Sequence, residues 1–181
     1  MDSLRGQLLV AAPSLIDPNF RRTVVLILEH TDEGALGLVL NRPTDVTAGD
    51  AVPELAPLVG DEGILYLGGP VQPGAVIALG EYVEQPPPER SLIGPVAALD
   101  LDEDAEELAG RLSRARLFAG YAGWGDGQLD GEVEGEDWIT LPALPGDVFG
   151  EEHEQLWNRV LRRKGGRFQL IATMPEDPSL N

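Results

Sequence analysis

Residues 120–129 constrain this chain more than any other stretch. Four glycines, Gly120, Gly123, Gly125 and Gly127, fall within eight positions. None suits a helix interior, where each costs roughly 1 kcal/mol relative to alanine. The preceding residues Arg116, Leu117, Phe118 and Ala119 read as a strand. That strand is expected to run into a glycine-rich turn carrying two large aromatics, Tyr121 and Trp124. Glycine lets backbone pass close to another surface, and aromatic rings supply apolar area beside it. Two outcomes fit: a binding pocket or partner surface, and a tight strand-to-helix turn with its aromatics in the core. The second is the ordinary one.

The rest of the chain reads as short strands with a few helices. Residues 7–11 form a first strand bounded by Gly6 and Pro13, and a proline-punctuated loop follows, with Asp17 placed to cap a turn of helix. Residues 22–30 are β-branched and apolar on both alternating faces, which predicts a central strand covered on both sides. A turn at 31–34 returns the chain as residues 35–41, ended by Arg42 and Pro43. Gly37 inside that return marks a bulge or a close backbone approach. Residues 47–58 are weakly helical, with Thr47 as N-cap and breaks at Pro53 and Pro57. Strands are expected at 63–67, 75–79, 96–99, 138–141 and 168–172, the second as hairpin partner of the first. Pro86, Pro87 and Pro88 form a surface spacer. Helices are expected at 102–112, 128–133 and 152–164. The last has one apolar stripe of Leu156, Trp157, Val160 and Leu161 and ends at Gly165 and Gly166.

Elements mixed in this way, without a repeating strand–helix–strand rhythm, indicate an α+β fold whose hairpins curl into a barrel-like sheet. The 181 residues suit a single domain, 1–181, with a self-supporting core. There is no cysteine, which removes disulfides, thiolate metal ligands and cysteine nucleophiles together. No signal peptide opens the chain and no apolar run approaches a membrane span, so a cytoplasmic protein with no membrane partner is expected.

Charge narrows the partners further. With 31 acidic against 13 basic residues, the formal net charge of −18 repels phosphate backbones and anionic lipid. The one basic cluster, Arg159, Arg162, Arg163, Lys164 and Arg167, ends a helix that starts with Glu151, Glu152 and Glu154, as the helix dipole favours. Direct nucleic-acid binding is therefore disfavoured.

Catalytic patterns are sparse. His30 stands at a strand end beside Glu29, Asp32 and Glu33, where a metal or acid–base site is conceivable, but the spacing matches no ligand motif. His153 lies in an acidic helix start, and no serine sits in a nucleophile elbow. Gly68 and Gly69, followed by Pro70, resemble phosphate-binding turns in composition only; neither the dinucleotide fingerprint nor the P-loop is present. Asp130, Glu132, Glu134 and Glu136 alternate as a solvated face would. No catalytic residue, metal or cofactor is assigned. One constellation is more specific. Arg21, Arg22, Asn41, Arg42, Tyr121, Trp124 and Gln128 all fall at strand ends or in glycine-rich turns. If those ends converge, they form a positive, aromatic-lined recess for an anionic ligand or an acidic peptide.

Residues 13–25, Glu29 and His30, residues 37–43, Gly68 to Val71, residues 120–125 and the closing 175–181 together resemble the bacterial YqgE/AlgH family, in order and over the whole chain. That family's pattern commonly has proline where this chain has Asp126. The resemblance implies an α+β fold with a bifurcated sheet forming a pseudo-barrel with flanking helices. It implies no catalytic residues, since none is agreed for the family. Some members carry the label of a transcriptional regulator, without an established DNA-binding mechanism. The expected function is a non-enzymatic binding or regulatory protein acting through an unknown protein or small-molecule partner. The alternative is a small-ligand carrier or enzyme using a recess near Arg22, Asn41 and Trp124. The candidate binding residues are Arg22, His30, Asn41, Arg42, Gly68, Gly69, Tyr121, Trp124 and Gln128.

Overall fold

A computed structural model describes residues 2–175. Strands β1 (Gln7–Ala11), β2 (Val24–Thr31) and β3 (Gly34–Val39) come first, followed by β4 (Pro43–Thr47). Helix α1 (Ala48–Ala51), a 3-10 turn at Pro53–Leu55 and α2 (Ala56–Val59) lead into β5 (Ile64–Leu67) and β6 (Val71–Tyr82). Then come β7 (Ser91–Ile93), β8 (Val96–Ala98), α3 (Ala105–Ala109) and β9 (Leu112–Trp124). The chain closes with α4 (Gln128–Glu134), β10 (Trp138–Pro142), α5 (Pro145–Phe149), a 3-10 turn at His153–Gln155, α6 (Leu156–Lys164) and α7 (Arg167–Ile171). Among the described residues, no helix is long and apolar enough to cross a membrane.

One sheet runs β10-β1-β2-β3-β9-β6-β8-β7, with β4 and β5 branching from β9. The pairing is antiparallel except between β5 and β9. The sheet is bifurcated, as the family resemblance implies. Its strand path is open: the ten-stranded sheet does not close into the expected barrel.

The β1–β2 pair is covered on both faces. Leu8, Val10, Val24 and Leu26 enter one core with Trp157, Val160 and Leu161 of α6. Their neighbours Leu9, Ala11, Val25 and Ile27 enter another with Trp124, Leu129 and Trp138. Strict alternation of two apolar sets explains why residues 24–28 are buried without a break. A third core lies under α1–α3, with Leu65, Leu108 and Leu117.

Strand β9 is the hinge of the fold. It does not stop at Ala119, as the glycine content suggests, but runs 13 residues to Trp124. Its pairing gives the reason: Leu117 pairs with Leu65 of β5, whereas Ala122 and Trp124 pair with Gly37 and Ala35 of β3. The switch of partner falls at Gly120, held at φ +74. A Cβ there would lie 2.5 Å from the Gly69 carbonyl oxygen, and one on Gly68 would lie 2.3 Å from the Gly120 carbonyl oxygen. Three glycines thus let two backbones cross in contact. Gly37 serves similarly, since a Cβ would meet Val25 at 2.7 Å. The register shift itself lies opposite it on β2, between Ile27 and Glu29.

Other elements depart from the sequence expectation for local reasons. Strands β5 and β6 are not a hairpin: β9 lies between them, pairing with β5 on one side and β6 on the other. Residues 43–47 form a strand where Pro43 is expected only to end one, because Pro43 and Thr47 meet β5. Helix α3 begins at its Asp104 cap and ends at Ala109, and Leu112 already belongs to β9. Residues 168–172 are helical rather than extended: Phe168, Ile171 and Ala172 share one face and pack on the α6 core. Helices at 128–134 and 156–164 fall as expected, as does the Thr47 cap, which accepts from the Asp50 amide, whereas α5 is not anticipated. Of the closing motif at 175–181, residues 176–181 lie outside the described residues.

Candidate functional site

The site forms where β2 begins and β3 gives way to β4. Asp17 folds the loop before β2 into a tight turn: its carbonyl accepts from the Phe20 and Arg21 amides, and its carboxylate accepts from the Asn19 amide. Arg42, just beyond β3, clamps that loop. Its Nη1 donates to the Asn19 carbonyl at 2.7 Å, and Nη2 donates to Pro18 at 2.8 Å and Arg21 at 3.2 Å. Arg22 follows in the left-handed region, at φ +56. The Asn41 side chain holds it there, donating from Nδ2 to the Arg22 carbonyl and accepting at Oδ1 from the Val24 amide, both at 3.0 Å. Asn41 thereby acts as a one-residue extension of the ladder between β3 and β2.

Above this loop stands the start of α6. The Arg22 guanidinium carbon lies 4.0 Å from the centre of the Trp157 ring, and its Nη1 donates to the Met174 carbonyl at 3.0 Å. The indole Nε1 of Trp157 donates to the Ala11 carbonyl, so the ring itself is fixed. Arg21, Arg22, Asn41 and Arg42 on one side, and His153, Glu154 and Trp157 on the other, line a recess of about 460 Å³. Behind it, His153 Nδ1 lies 3.5 Å from the Tyr66 hydroxyl. Arg116 stacks 4.2 Å from the Tyr66 ring centre and donates to the carbonyls of Val148, Phe149 and Gly150.

Two cations in this region are held against burial. Desolvation pushes the Arg42 guanidinium below its usual range, and the nearby Asp17 carboxylate partly restores it. Desolvation likewise lowers Arg116, opposed by Tyr66 and Glu151. Among the described residues, neither has a carboxylate within ion-pair distance. The recess therefore presents positive charge on a chain of net charge −18. Among the described residues, no three His, Asp or Glu side chains are grouped to hold a metal ion.

Three of the sequence candidates converge here: Arg22, Asn41 and Arg42. The others lie apart. The Trp124 and Trp138 indoles donate to Glu132 Oε1 at 3.1 and 3.0 Å, and Gln128 donates to Oε2 at 2.8 Å. Phe20 stacks on Trp124 with ring centres 6.3 Å apart. This is core, the ordinary outcome for an aromatic in a glycine-rich stretch. The His30 side chain is 6% exposed; its Nε2 donates to Asp130 at 2.9 Å and its Nδ1 accepts from the Leu4 amide. Tyr121 packs on the α6 core beside the crossing that uses Gly68 and Gly69. Of the alternating acids, Asp130 and Glu132 are therefore internal braces rather than a solvated face. Four of the five residues of the basic cluster are likewise engaged: Arg163 forms a bidentate pair with the buried Asp147, Lys164 donates to the Thr140 carbonyl, and Arg159 and Arg167 face Glu152 and Glu136.

Sequence reasoning misses Trp157 and His153 as recess residues. Trp157 is legible as a core position on α6, but nothing local announces an arginine over its face from a loop so distant in sequence.

A family profile described as AlgH-like matches residues 8–169. The chain is 46% identical over 187 residues to the UPF0301 protein SCO2948 of Streptomyces coelicolor, covering 100% of this chain and 97% of the relative. It is 42% identical over 181 residues to the UPF0301 protein of Mycobacterium tuberculosis, covering 97% of this chain and 90% of the relative. The crystal structure of a Corynebacterium diphtheriae protein is similar at a TM-score of 0.87 and 34% identity, over 96% of this chain and 93% of that one. The solution structure of the AlgH protein from Pseudomonas aeruginosa is similar at 0.71 and 30% identity, over 96% and 95%.

Proposed function

The chain belongs to the AlgH-like family, and on that premise we propose that it is a non-enzymatic, cytoplasmic binding protein with a regulatory role, exerted by capturing an anionic ligand or partner. One observation carries this: Arg21, Arg22 and Arg42 are gathered into a recess over Trp157 on a strongly acidic chain. Locally concentrated positive charge on a negative molecule steers anions to one place and rejects them elsewhere. Any effect on transcription is then indirect, because the whole-chain field opposes a DNA duplex. Of the recess named for the carrier or enzyme alternative, Arg22 and Asn41 are present and Trp124 lies with Glu132 in the core.

The three tryptophans supply the test. Trp157 floors the recess, whereas Trp124 and Trp138 share Glu132. In nitrogen-15 NMR spectra, titration with inorganic phosphate or citrate is expected to move the Trp157 indole signal and leave the other two in place. A 20-base-pair duplex at physiological ionic strength is expected to move none. Indifference of Trp157 to every anion, or tight duplex binding, refutes the proposal.

A further inference from the structure

The donors of Arg42 and Asn41 are largely committed. Arg42 spends three of its five N–H groups on loop carbonyls, and both ends of the Asn41 amide hold the backbone. These residues contribute charge but not a convergent set of donors, which is what a small chelated oxyanion needs. Among the described residues lining the recess, Glu154 is the one carboxylate, so the positive side is the loop carrying Arg21.

Three exposed aliphatic side chains lie on segments joined to the recess. Ile16 is 76% exposed, Met174 45% and Leu67 37%. Each is tied to a recess arginine through the backbone. The carbonyl of Met174 accepts from Arg22, the amide of Leu67 donates to the Arg42 carbonyl, and Ile16 lies two residues before the Pro18 that Arg42 holds. A single exposed aliphatic side chain needs no explanation. Three exposed aliphatic side chains on the segments that hold the recess arginines, together with the arginine–tryptophan stack, match the composition of protein-binding hot spots.

We propose that this surface docks an extended acidic peptide segment of a partner protein, its carboxylates at Arg21 and Arg42 and an aliphatic side chain against Ile16 or Met174. This rests on the recess being the binding site. Charge complementarity selects the occupant: an acidic segment is attracted to the loop and repelled by the remainder of the chain. A small anion would leave these aliphatic side chains exposed, whereas an extended peptide is long enough to reach from the recess to the segments that carry them.

The experiment compares three probes by the Trp157 indole signal: a decapeptide of alternating glutamate and leucine, the same peptide with serine for leucine, and inorganic phosphate. The leucine peptide is expected to saturate the shift at about one-tenth the concentration of the serine peptide, since each buried aliphatic side chain contributes about tenfold. Arg21→Glu is expected to weaken both peptides by about tenfold or more. Ile16→Ser is expected to weaken only the leucine peptide. Both side chains are exposed, so neither substitution removes core packing. Equal responses to the two peptides, or phosphate acting as well as either, would overturn the peptide proposal and leave an anion site. Silence toward all three would overturn both.

Discussion

Glu132 allows a sharp test of whether Trp124 is a structural residue. Its Oε1 accepts from two indoles, one on Trp124 at 7% exposure and one on Trp138 at 3%, and its Oε2 accepts from Gln128. Glu132→Ala strands two buried N–H donors, each at a penalty of about 1–3 kcal/mol. Taking the middle of that range for one indole and the lower end for the other, which solvent can reach through the vacated volume, gives about 3 kcal/mol in total. For a chain of this length that corresponds to a fall in Tm of about 6–12 °C. Glu132→Gln separates the contributions. Its amide oxygen still accepts both indoles, and only the contact with Gln128 turns from attraction into two opposed donors, a loss of about 1 kcal/mol. Urea denaturation followed by near-ultraviolet circular dichroism reads both, because Trp124 and Trp138 lie edge to face with centres 6.2 Å apart. A loss in the alanine variant below about 1 kcal/mol, or equal losses in the two variants, would refute the brace. Binding at Trp157 is expected to survive in Glu132→Gln.

Two further substitutions test the fold. Gly120→Ala forces a Cβ to 2.5 Å from a carbonyl oxygen at φ +74 and is expected to destabilise by more than about 2 kcal/mol, whereas Gly146→Ala in α5, with open space at its Cβ position, is expected to be neutral or stabilising by up to about 1 kcal/mol; similar melting curves for both would contradict the crossing. The hydrogen bonds of Arg114, with a lesser one from Ser113, hold the Glu81 carboxyl below its ordinary range against a desolvation that raises it. A depressed folded-state pKa adds stability above the unfolded value that disappears as pH falls through the folded one. Glu81→Gln is therefore expected to cost about 0.5–1 kcal/mol at pH 7, a range discounted for the exposure of Arg114, and nothing once the carboxyl is protonated in both states; a difference unchanged from neutral to acid pH would contradict this.

What the sequence disclosed follows from how local each signal is. The β-branched run at 24–28, the Thr47 cap and the α6 stripe are decided by neighbours within a turn or a strand, and each is legible. Strand β9 is not, because the glycines that argue against a strand at 120–124 are needed only by a crossing with residues 68–69, some fifty positions away. Residues 168–172 fail for another reason: a five-residue apolar run fits either period, and the choice falls to packing on α6. The candidate site divides in the same way. Arg22, Asn41 and Arg42 meet because adjacent strand ends carry them, while an aromatic flanked by glycines looks alike whether it lines a recess or fills a core. Only the partner, Glu132 for Trp124, decides.

The crossing and the recess are two consequences of one event in the sheet. Strand β3 pairs with β9 up to Gly37 and with β2 up to Val39, and the Val39 amide turns to the Gly68 carbonyl. Beyond it the chain leaves the sheet axis to become β4, whose partner is β5. Strand β5 can lie there only because Gly68 and Gly69 pass against Gly120 and Tyr121 without side chains between them. At the point of departure the ladder to β2 would break, and the Asn41 side chain replaces the missing backbone pair while the Leu67 amide takes the Arg42 carbonyl. Arg42 is thus fixed at its backbone by β5 and at its guanidinium by the loop before β2. A substitution that closed the glycine crossing would displace β5, release the Arg42 carbonyl and scatter the charges of the recess. Loss of binding together with stability in Gly120→Ala, against loss of binding alone in Arg21→Glu, is the pattern that this coupling requires.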